Sequence, residues 1–270
     1  MDGRVDILGH LRARHQAHRN PNAEPDSPVI RRAAPLLLSL VTTHLLAQAP
    51  PPQPRRAEFS SDLSFVSTSG NTRITTSGFS EKFIIRPGWR WTFTQSAGVV
   101  YGRSNGDVNA ENYRAAFHGE MAFSARTGLY ALGGFERNVF RGIAARYESS
   151  VGLSALLWVG IKDELKFEAG LARISQRPTA GQIERFFSAR INSVYRYNFR
   201  PSTYFEQAAE ILPNLRDRQD LRINARTALV APISAHIGLK MSYLVQWDNE
   251  PQPTFRKTDT TLQTGLQLTF

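Results

Sequence analysis

The sequence predicts an all-β fold, an antiparallel up-and-down transmembrane β-barrel of about 12 strands with short periplasmic turns and longer extracellular loops. Three observations lead to this prediction. Apolar and polar residues alternate along most of the chain from position 57 onwards, a secretory signal precedes that region, and the chain ends on an amphipathic strand with an aromatic last residue. No segment with a helical period of useful length competes with the alternation.

The final strand shows the alternation clearly. Between residues 262 and 270, apolar side chains stand at Leu262, Leu266, Leu268 and Phe270, with polar or small residues between them. A period of 2 indicates a strand with one apolar and one polar face. In a barrel this strand closes the sheet against the first strand, so it stays paired to its last residue. Gly265, Leu266, Leu268 and Phe270 resemble the C-terminal assembly signal of outer-membrane barrels, which implies the bacterial barrel-assembly machinery as a partner.

The composition excludes several classes of protein. The 270 residues include no cysteine, which rules out disulfides and thiolate metal sites and is compatible with an oxidising compartment. The net charge of +10 is spread along the chain, whereas nucleic-acid binders concentrate their basic residues on one helix or stripe. No window reaches the roughly 20 apolar residues that a membrane helix needs. We therefore expect neither a nucleic-acid partner nor a cofactor.

The N-terminal region resembles a secretory leader. Arg31 and Arg32 precede an apolar run at 33–46, and Ala47-Gln48-Ala49 follows as a small-residue cleavage site. The polar residues ahead of Arg31 are unusual before a signal, and we hypothesise that translation begins near Val29. The predicted organisation is an N-terminal extension and signal peptide at 1–49, a Pro-rich linker at 50–56, and an outer-membrane β-barrel at 57–270. We expect the protein in the bacterial cell outer membrane.

The predicted strands are joined by connections of alternating length. The clearest strands lie at 89–103, 187–198 and 236–247, and the weakest at 202–211. Connections near 87–88, 125–127, 160–163, 200–201 and 231–233 are short, whereas those near 103–110, 139–146, 175–182, 212–218 and 248–256 are longer and polar. This alternation is typical of outer-membrane barrels, as are aromatic girdles at the two membrane interfaces. The candidate girdle residues are Trp89, Trp91, Tyr101, Trp158, Trp247 and Phe270.

The polar faces of the strands carry many charged side chains. If the apolar faces contact lipid, the polar faces point into the lumen of the barrel. The candidate residues for the lumen and for ion selectivity are Arg114, Glu120, Glu136, Glu168, Arg190, Arg196, Arg222, Arg226 and Lys240.

Two interpretations of this charged lumen remain open. In the first, the arginines line a narrow channel for small anionic solutes, since rings of like charge select ions in pores. In the second, they pair with the glutamates and fill the interior, which gives a plugged structural or stress-related barrel without transport. An outer-membrane enzyme is a weaker alternative, because no serine in a nucleophile context accompanies His118 or His236 on the polar face. We expect no catalytic residue, and a solvated rather than metal-binding loop at 248–250.

Basic residues also occur in the predicted outer loops. At the outer rim they are placed to meet the phosphates of lipopolysaccharide, or else they are solvated loop charges. We expect outer-membrane lipids and lipopolysaccharide as partners. The loop residues concerned are Arg103, Arg141, Arg146, Arg177, Arg216, Arg218, Arg256 and Lys257.

Four short motifs resemble a known family. They are Ser69-Gly70-Asn71-Thr72 after the first strand, Phe135-Glu136-Arg137-Asn138 at the end of strand five, Arg146-Tyr147 with Gly152 in strand six, and Lys257-Thr258-Asp259-Thr260-Thr261 before the last strand. Their order and spacing are similar to those of the salt-induced outer membrane protein family (domain of unknown function 481), over roughly 57–270. The resemblance implies an outer-membrane barrel and supplies no biochemical activity.

Overall fold

The computed structural model describes residues 55–70, 74–104, 107–200 and 202–270. The predicted signal peptide, the linker up to Pro54 and the first tight turn at 71–73 lie outside these ranges. No helix in the described ranges is long and apolar enough to cross a membrane. The strands are β1 (Ala57–Ser69), β2 (Ile74–Ile85), β3 (Trp91–Ser104), β4 (Asp107–Ala122), β5 (Thr127–Asn138), β6 (Ile143–Val159), β7 (Asp163–Pro178), β8 (Glu184–Arg200), β9 (Thr203–Pro213), β10 (Leu221–Pro232), β11 (Ile237–Asp248) and β12 (Thr258–Thr269).

The strands close into one antiparallel barrel. Each strand pairs with its neighbours in sequence, and β1 pairs with β12, which confirms the predicted fold class. The closing seam extends to the last residue: the Phe270 N–H donates to the Phe59 carbonyl at 2.9 Å, and the Phe59 N–H donates back to the Phe270 carbonyl at 3.1 Å. Closure therefore leaves no unpaired strand edge at the seam.

The outward faces of the strands form an apolar surface. Leu63 and Phe65 on β1 and Val151 on β6 are 59–62% exposed, although they belong to well-paired strands. A water-soluble barrel would bury such residues, whereas a lipid-facing band requires them outside. Polar residues interrupt this surface in places, for example on β2 and β3, where the outward Glu81 carboxylate accepts a hydrogen bond from the Gln95 amide at 3.1 Å.

The inward faces carry apolar residues as well as charges. Val66, Ile174, Leu212 and Val230 are each no more than 6% exposed and lie on the same strand faces as the charged lumen residues. The sequence pattern drew attention to the charges and did not reveal this apolar packing. These side chains fill space between the polar groups, so the interior is partly packed and partly open.

The connections differ from the prediction at one rim. Strands β3, β4, β6 and β7 extend further than the sequence indicated, so three connections shorten to 105–106, 139–142 and 179–183. Backbone pairing continues past the polar residues, with register shifts at Gly102/Arg103 and Ile143/Ala145. The two longest connections, 214–220 and 249–257, lie at this rim, opposite the chain termini.

Candidate functional site

The barrel encloses a cavity of ≈ 630 Å³. It extends from Glu58 and Thr269, near the rim with the chain termini, to Arg141 and Arg222 towards the opposite rim. At ~30 Å³ per molecule it has room for roughly 20 waters, so a small hydrated solute fits. We take this cavity and the charged groups around it as the candidate functional site.

The structure places all nine predicted lumen residues on inward faces of the strands, in three distinct groups. Glu120, Glu168 and Arg190 belong to an ion-pair network that is packed against one wall. Arg114, Glu136 and Arg222 lie towards the rim with the long loops. The remaining residues, Arg196, Arg226 and Lys240, line the part of the cavity nearer the rim with the chain termini.

The wall network covers strands β4 to β9 and centres on Glu168. Its carboxylate accepts hydrogen bonds from the Arg190 Nη1 at 2.9 Å and from the Asn192 amide at 3.3 Å, and it lies 3.1 Å from the His118 Nε2. The Lys166 ammonium is 3.4 Å away. The side chains of Glu168 and Arg190 are both only 5% exposed. The network comprises His118, Glu120, Lys166, Glu168, Arg190, Asn192 and Glu210.

Every charge at the two ends of the wall network also has a partner. The Lys166 ammonium donates to Glu120 at 2.5 Å, and the Ser154 hydroxyl donates to the same carboxylate at 2.5 Å. Arg190 donates through its Nε to Glu210 at 2.8 Å. Because each of these basic groups meets a carboxylate, the network leaves no positive charge uncompensated and acts as a structural filling of this wall.

Tyr130 forms the hydrophobic base of the wall network. Its ring is 3% exposed, stacks on the His118 ring at 5.6 Å, and lies 5.2 Å beneath the Arg190 guanidinium. The ring lies over Gly152 and Gly170, which face each other on β6 and β7. A Cβ atom at Gly152 would lie 2.8 Å from the Tyr130 Cε1 and 2.6 Å from the Gly170 Cα. The absence of side chains on this glycine pair therefore makes room for the aromatic ring.

Gly152→Ala is expected to lower the free energy of unfolding by about 1–3 kcal/mol, because the added methyl group clashes with the β7 backbone at Ala169 and Gly170 and with the Tyr130 ring. Gly133→Ala on β5 is the matched control, since a Cβ atom there meets nothing within 4 Å. Denaturant unfolding in detergent micelles measures both variants. Equal midpoints for the two variants would contradict the role assigned to the glycine pair.

A second cluster narrows the cavity towards the rim with the long loops. Glu136 accepts hydrogen bonds from Arg114 and Arg146, both at 3.1 Å, and lies 3.5 Å from the Arg141 guanidinium. Arg141 sits in the 3-10 turn Val139–Arg141 and donates to Asp259 at 2.9 Å. We call this group the constriction cluster.

The positions of Arg141 and Arg146 correct the sequence interpretation. Both were expected in an outer loop, facing lipopolysaccharide, but their side chains are only 10% and 13% exposed and point inward. The reason is that β6 begins at Ile143, so Arg146 falls on an inward strand position. The polar composition of the segment suggested a loop although its backbone is paired.

Two contacts of the constriction cluster cross the lumen. Arg141 joins the β5–β6 connection to β12, and Arg114 on β4 donates to the Gln246 side chain on β11 at 2.7 Å. The long loop at 249–257 lies against the same turn, since a Cβ atom on Gly142 would be 3.0 Å from both Gln252 and Phe255. These contacts occupy part of the lumen at this end of the cavity.

The part of the cavity nearer the rim with the chain termini carries a basic group that is only partly compensated. We call Lys82, Arg196, Arg226 and Lys240 the basic patch; all four line the cavity. Lys240 donates to Asp62 at 2.5 Å, and Arg226 donates to Glu206 at 3.4 Å with its side chain 54% exposed.

Two members of the basic patch have no carboxylate of their own. Arg196 stacks over the Tyr204 ring at 3.8 Å, and Lys82 interacts with Glu206, the carboxylate to which Arg226 also donates. Among the described residues, neither Arg196 nor Lys82 forms an ion pair of its own. Four basic side chains therefore meet two carboxylates, Asp62 and Glu206, which leaves an excess of two positive charges facing the cavity. The sequence interpretation missed Lys82, although it alternates with the outward Phe83 on β2.

The two histidines have different environments. His118 belongs to the wall network, and the nearby hydroxyls of Ser150 and Ser154 bond to Tyr130 and Glu120 instead. His236 was expected on the polar face of a strand, but β11 begins one residue later. It lies exposed in the turn before β11, stacked on the Phe270 ring at 5.6 Å. The described residues therefore show neither histidine activating a serine.

The acidic residues at the long-loop rim mostly serve the local structure. Arg222 lies 3.4 Å from Asp220 and 3.5 Å from Asp248, and its guanidinium stacks on Phe186 at 5.1 Å. Desolvation, together with nearby acids, raises the pKa of Glu250. Across the described ranges, no three metal-ligating side chains are grouped in a way that could hold a metal ion.

Solved structures with a similar fold are outer-membrane barrels. A NanC porin shares 11% identity with a TM-score of 0.51, and covers 77% of this chain and 98% of its own. The translocator domain of the autotransporter NalP from Neisseria meningitidis shares 10% identity with a TM-score of 0.51, covering 82% and 90%. The COG4313 outer membrane channel from Pseudomonas putida F1 shares 12% identity with a TM-score of 0.50, covering 83% and 100%. At these identities the likeness shows the fold alone.

A comparison of the sequence with family models gives a more specific result. No curated protein matches the sequence significantly. One family model, described as a protein of unknown function, DUF481, matches residues 61–270, which includes nearly the whole barrel. This match confirms the resemblance drawn from the four motifs, and the chain belongs to the DUF481 family.

Proposed function

We propose that this protein is a bacterial outer-membrane barrel that forms a narrow channel with a preference for small anionic solutes. The observation that carries the proposal is the basic patch, where four basic side chains and only two carboxylates line the cavity. A fixed excess of positive charge in a low-dielectric lumen attracts anions and repels cations. The patch has not been neutralised internally, in contrast to the wall network.

Two further features support a channel in the outer membrane. The outward faces expose apolar side chains such as Leu63 and Phe65 around a polar interior, as a lipid-facing barrel requires. Two solved structures with the same fold are named a porin and an outer membrane channel. Because these two proteins share only the fold with this chain, the proposed anion preference is argued from the charge of the lumen alone.

Planar-bilayer recording with a salt gradient tests the proposal. We expect unitary conductance with a reversal potential that indicates anion preference. The triple variant Lys82→Gln, Arg196→Gln, Arg226→Gln is expected to reverse that preference, because Glu206 then faces the cavity uncompensated. A matched control removes three exposed basic residues from the short turns, and consists of Arg90→Gln, Arg126→Gln and Lys162→Gln.

The plugged barrel is the second candidate, and the lumen-crossing contacts of Arg141 and Arg114 favour it. Silent bilayers with correctly folded wild-type protein would support this candidate and contradict the channel. Cation preference in the wild type, or an equal change in the control triple variant, would contradict the selectivity proposed for the basic patch.

A further inference from the structure

A second basic group lies on the outside of the barrel. Arg173 and Arg177 on β7 and Arg185 on β8 are all exposed. They share the outward strand face with Leu171 and Phe187, which are 44% and 52% exposed. We call these three arginines the exterior triad. None of them takes part in the cavity, the wall network or the constriction cluster.

The strand register brings the exterior triad together. Arg185 pairs with Ser175, so it lies between Arg173 and Arg177 and is diagonal to both. Diagonal neighbours on one face of an antiparallel pair are ≈ 7–8 Å apart at their Cβ atoms, within reach of long side chains. Three guanidinium groups can therefore converge on one anion above Ser175.

No acidic residue compensates the exterior triad. Among the described residues, the outward positions that surround it on β6 and β8 are apolar, aromatic or hydroxylic, with Tyr147 and Ser149 opposite Ser175 and Arg173. Glu148 and Glu184 occupy inward positions of the same strands: Glu148 lies 3.7 Å from Arg190 and Glu184 pairs with Gln176. In the part of the chain that the structure describes, none of the three arginines forms an ion pair.

The position of the triad specifies the chemistry of its ligand. It lies near the β7–β8 connection, at the rim opposite the chain termini, and the apolar surface begins directly below it at Leu171 and Val151. A ligand that contacts both the arginines and the apolar surface has phosphate groups at the level of the arginines and acyl chains along the apolar surface. A soluble anion would contact only the three arginines.

We propose that the exterior triad binds the phosphorylated glucosamine headgroup of lipid A, with the acyl chains lying on the outward face of β6 to β8. The proposal rests on the outer-membrane location under the proposed function, but it does not depend on conductance. In an outer-membrane barrel the rim opposite the termini meets the lipopolysaccharide leaflet. Bidentate guanidinium–phosphate hydrogen bonds supply the specificity for a phosphorylated headgroup.

Native mass spectrometry of the detergent-solubilised full chain tests the site. The probes are bisphosphorylated lipid A, lipid A without phosphates, phosphatidylglycerol and inorganic phosphate. We expect bisphosphorylated lipid A to bind tightest, and Arg173→Gln, Arg177→Gln, Arg185→Gln to weaken it by about tenfold or more, to the level of the unphosphorylated lipid. The triple variant Arg90→Gln, Arg126→Gln, Lys162→Gln, in exposed turns at the rim with the chain termini, is the matched control and should bind as the wild type does.

Three results would overturn the proposal. One is equal binding of phosphorylated and unphosphorylated lipid A to the wild type. Another is undiminished lipid A binding by the triple Gln variant, with folding verified by heat-shifted gel migration. The third is that phosphatidylglycerol binds as tightly as lipid A, which would assign the triad to anionic lipids in general. The triple Lys variant is expected to bind at an intermediate level, because lysine keeps the charge but loses the bidentate geometry.

Discussion

Glu168→Ala is expected to lower the free energy of unfolding by about 3–5 kcal/mol, because it removes one partner from a buried ion pair. The Arg190 and Glu168 side chains are both 5% exposed and joined by a 2.9 Å contact. The substitution also removes the acceptor near His118 and Lys166. Arg190 keeps Glu210 at 2.8 Å, so we expect a value in the lower part of this range. Unfolding by denaturant in micelles, followed by tryptophan fluorescence, gives the measurement.

Two further variants separate burial from charge. Glu164→Ala removes an exposed carboxylate from the same strand, and we expect its unfolding midpoint to match the wild type. Combining Glu168→Ala with Arg190→Met removes both members of the buried pair, but it also takes the Arg190 guanidinium away from Glu210 and Glu148. We therefore expect no recovery of stability relative to Glu168→Ala alone. A Glu168→Ala barrel as stable as the wild type would show that the wall network is not a structural element.

The architecture of the barrel was predictable because it depends on alternation alone. Leu262, Leu266 and Phe270 follow a period of 2, and this period determines which face of β12 meets lipid. Register within the sheet is harder to infer, since a slip of two residues preserves the alternation. The strand limits near Arg146 and His236 were wrong for a related reason. At the rim of a barrel, a polar sequence is compatible both with a paired strand and with a turn.

The division of the lumen arginines into compensated and uncompensated ones was not predictable. Arg190 and Arg196 lie on the same inward face of β8 and are indistinguishable by pattern. Their partners come from other strands: Arg190 meets Glu168 on β7, whereas Arg196 meets the Tyr204 ring on β9. Only the register of β7, β8 and β9 decides which arginine is neutralised. Counting lumen charges from sequence therefore overestimates the number available to a solute.

The same reasoning applies to the arginines of the outer rim. Arg177 was expected in a loop because the sequence placed the connection after β7 near 175–182, and Arg173 was not singled out at all. The structure extends β7 to Pro178, which places both side chains on the outside of the barrel. Arg141, expected in the same kind of loop, turns inward to Asp259. Residues of similar sequence context thus serve a lipid-facing surface and a constriction.

Removing Phe270 is expected to prevent most of the protein from assembling in the outer membrane. The deletion removes both backbone hydrogen bonds to Phe59 and the aromatic ring stacked on His236. It leaves Gly265 in place, where a Cβ atom would lie 2.6 Å from the Ser64 Cα, so close packing of the seam persists. The share of heat-modifiable protein in isolated outer membranes gives the measurement.

Phe270→Ala distinguishes the contribution of the backbone hydrogen bonds from that of the aromatic side chain, because it keeps the hydrogen bonds to Phe59 and removes only the ring. We expect this variant to refold into detergent as the wild type does, since the ring is 58% exposed and contributes little packing. In cells it should assemble as poorly as the deletion if the aromatic side chain is the recognised part of the signal, and Phe270→Tyr should assemble normally. Wild-type assembly of the deletion would show that the end of β12 carries no assembly signal and that the seam at 60–69 closes without it.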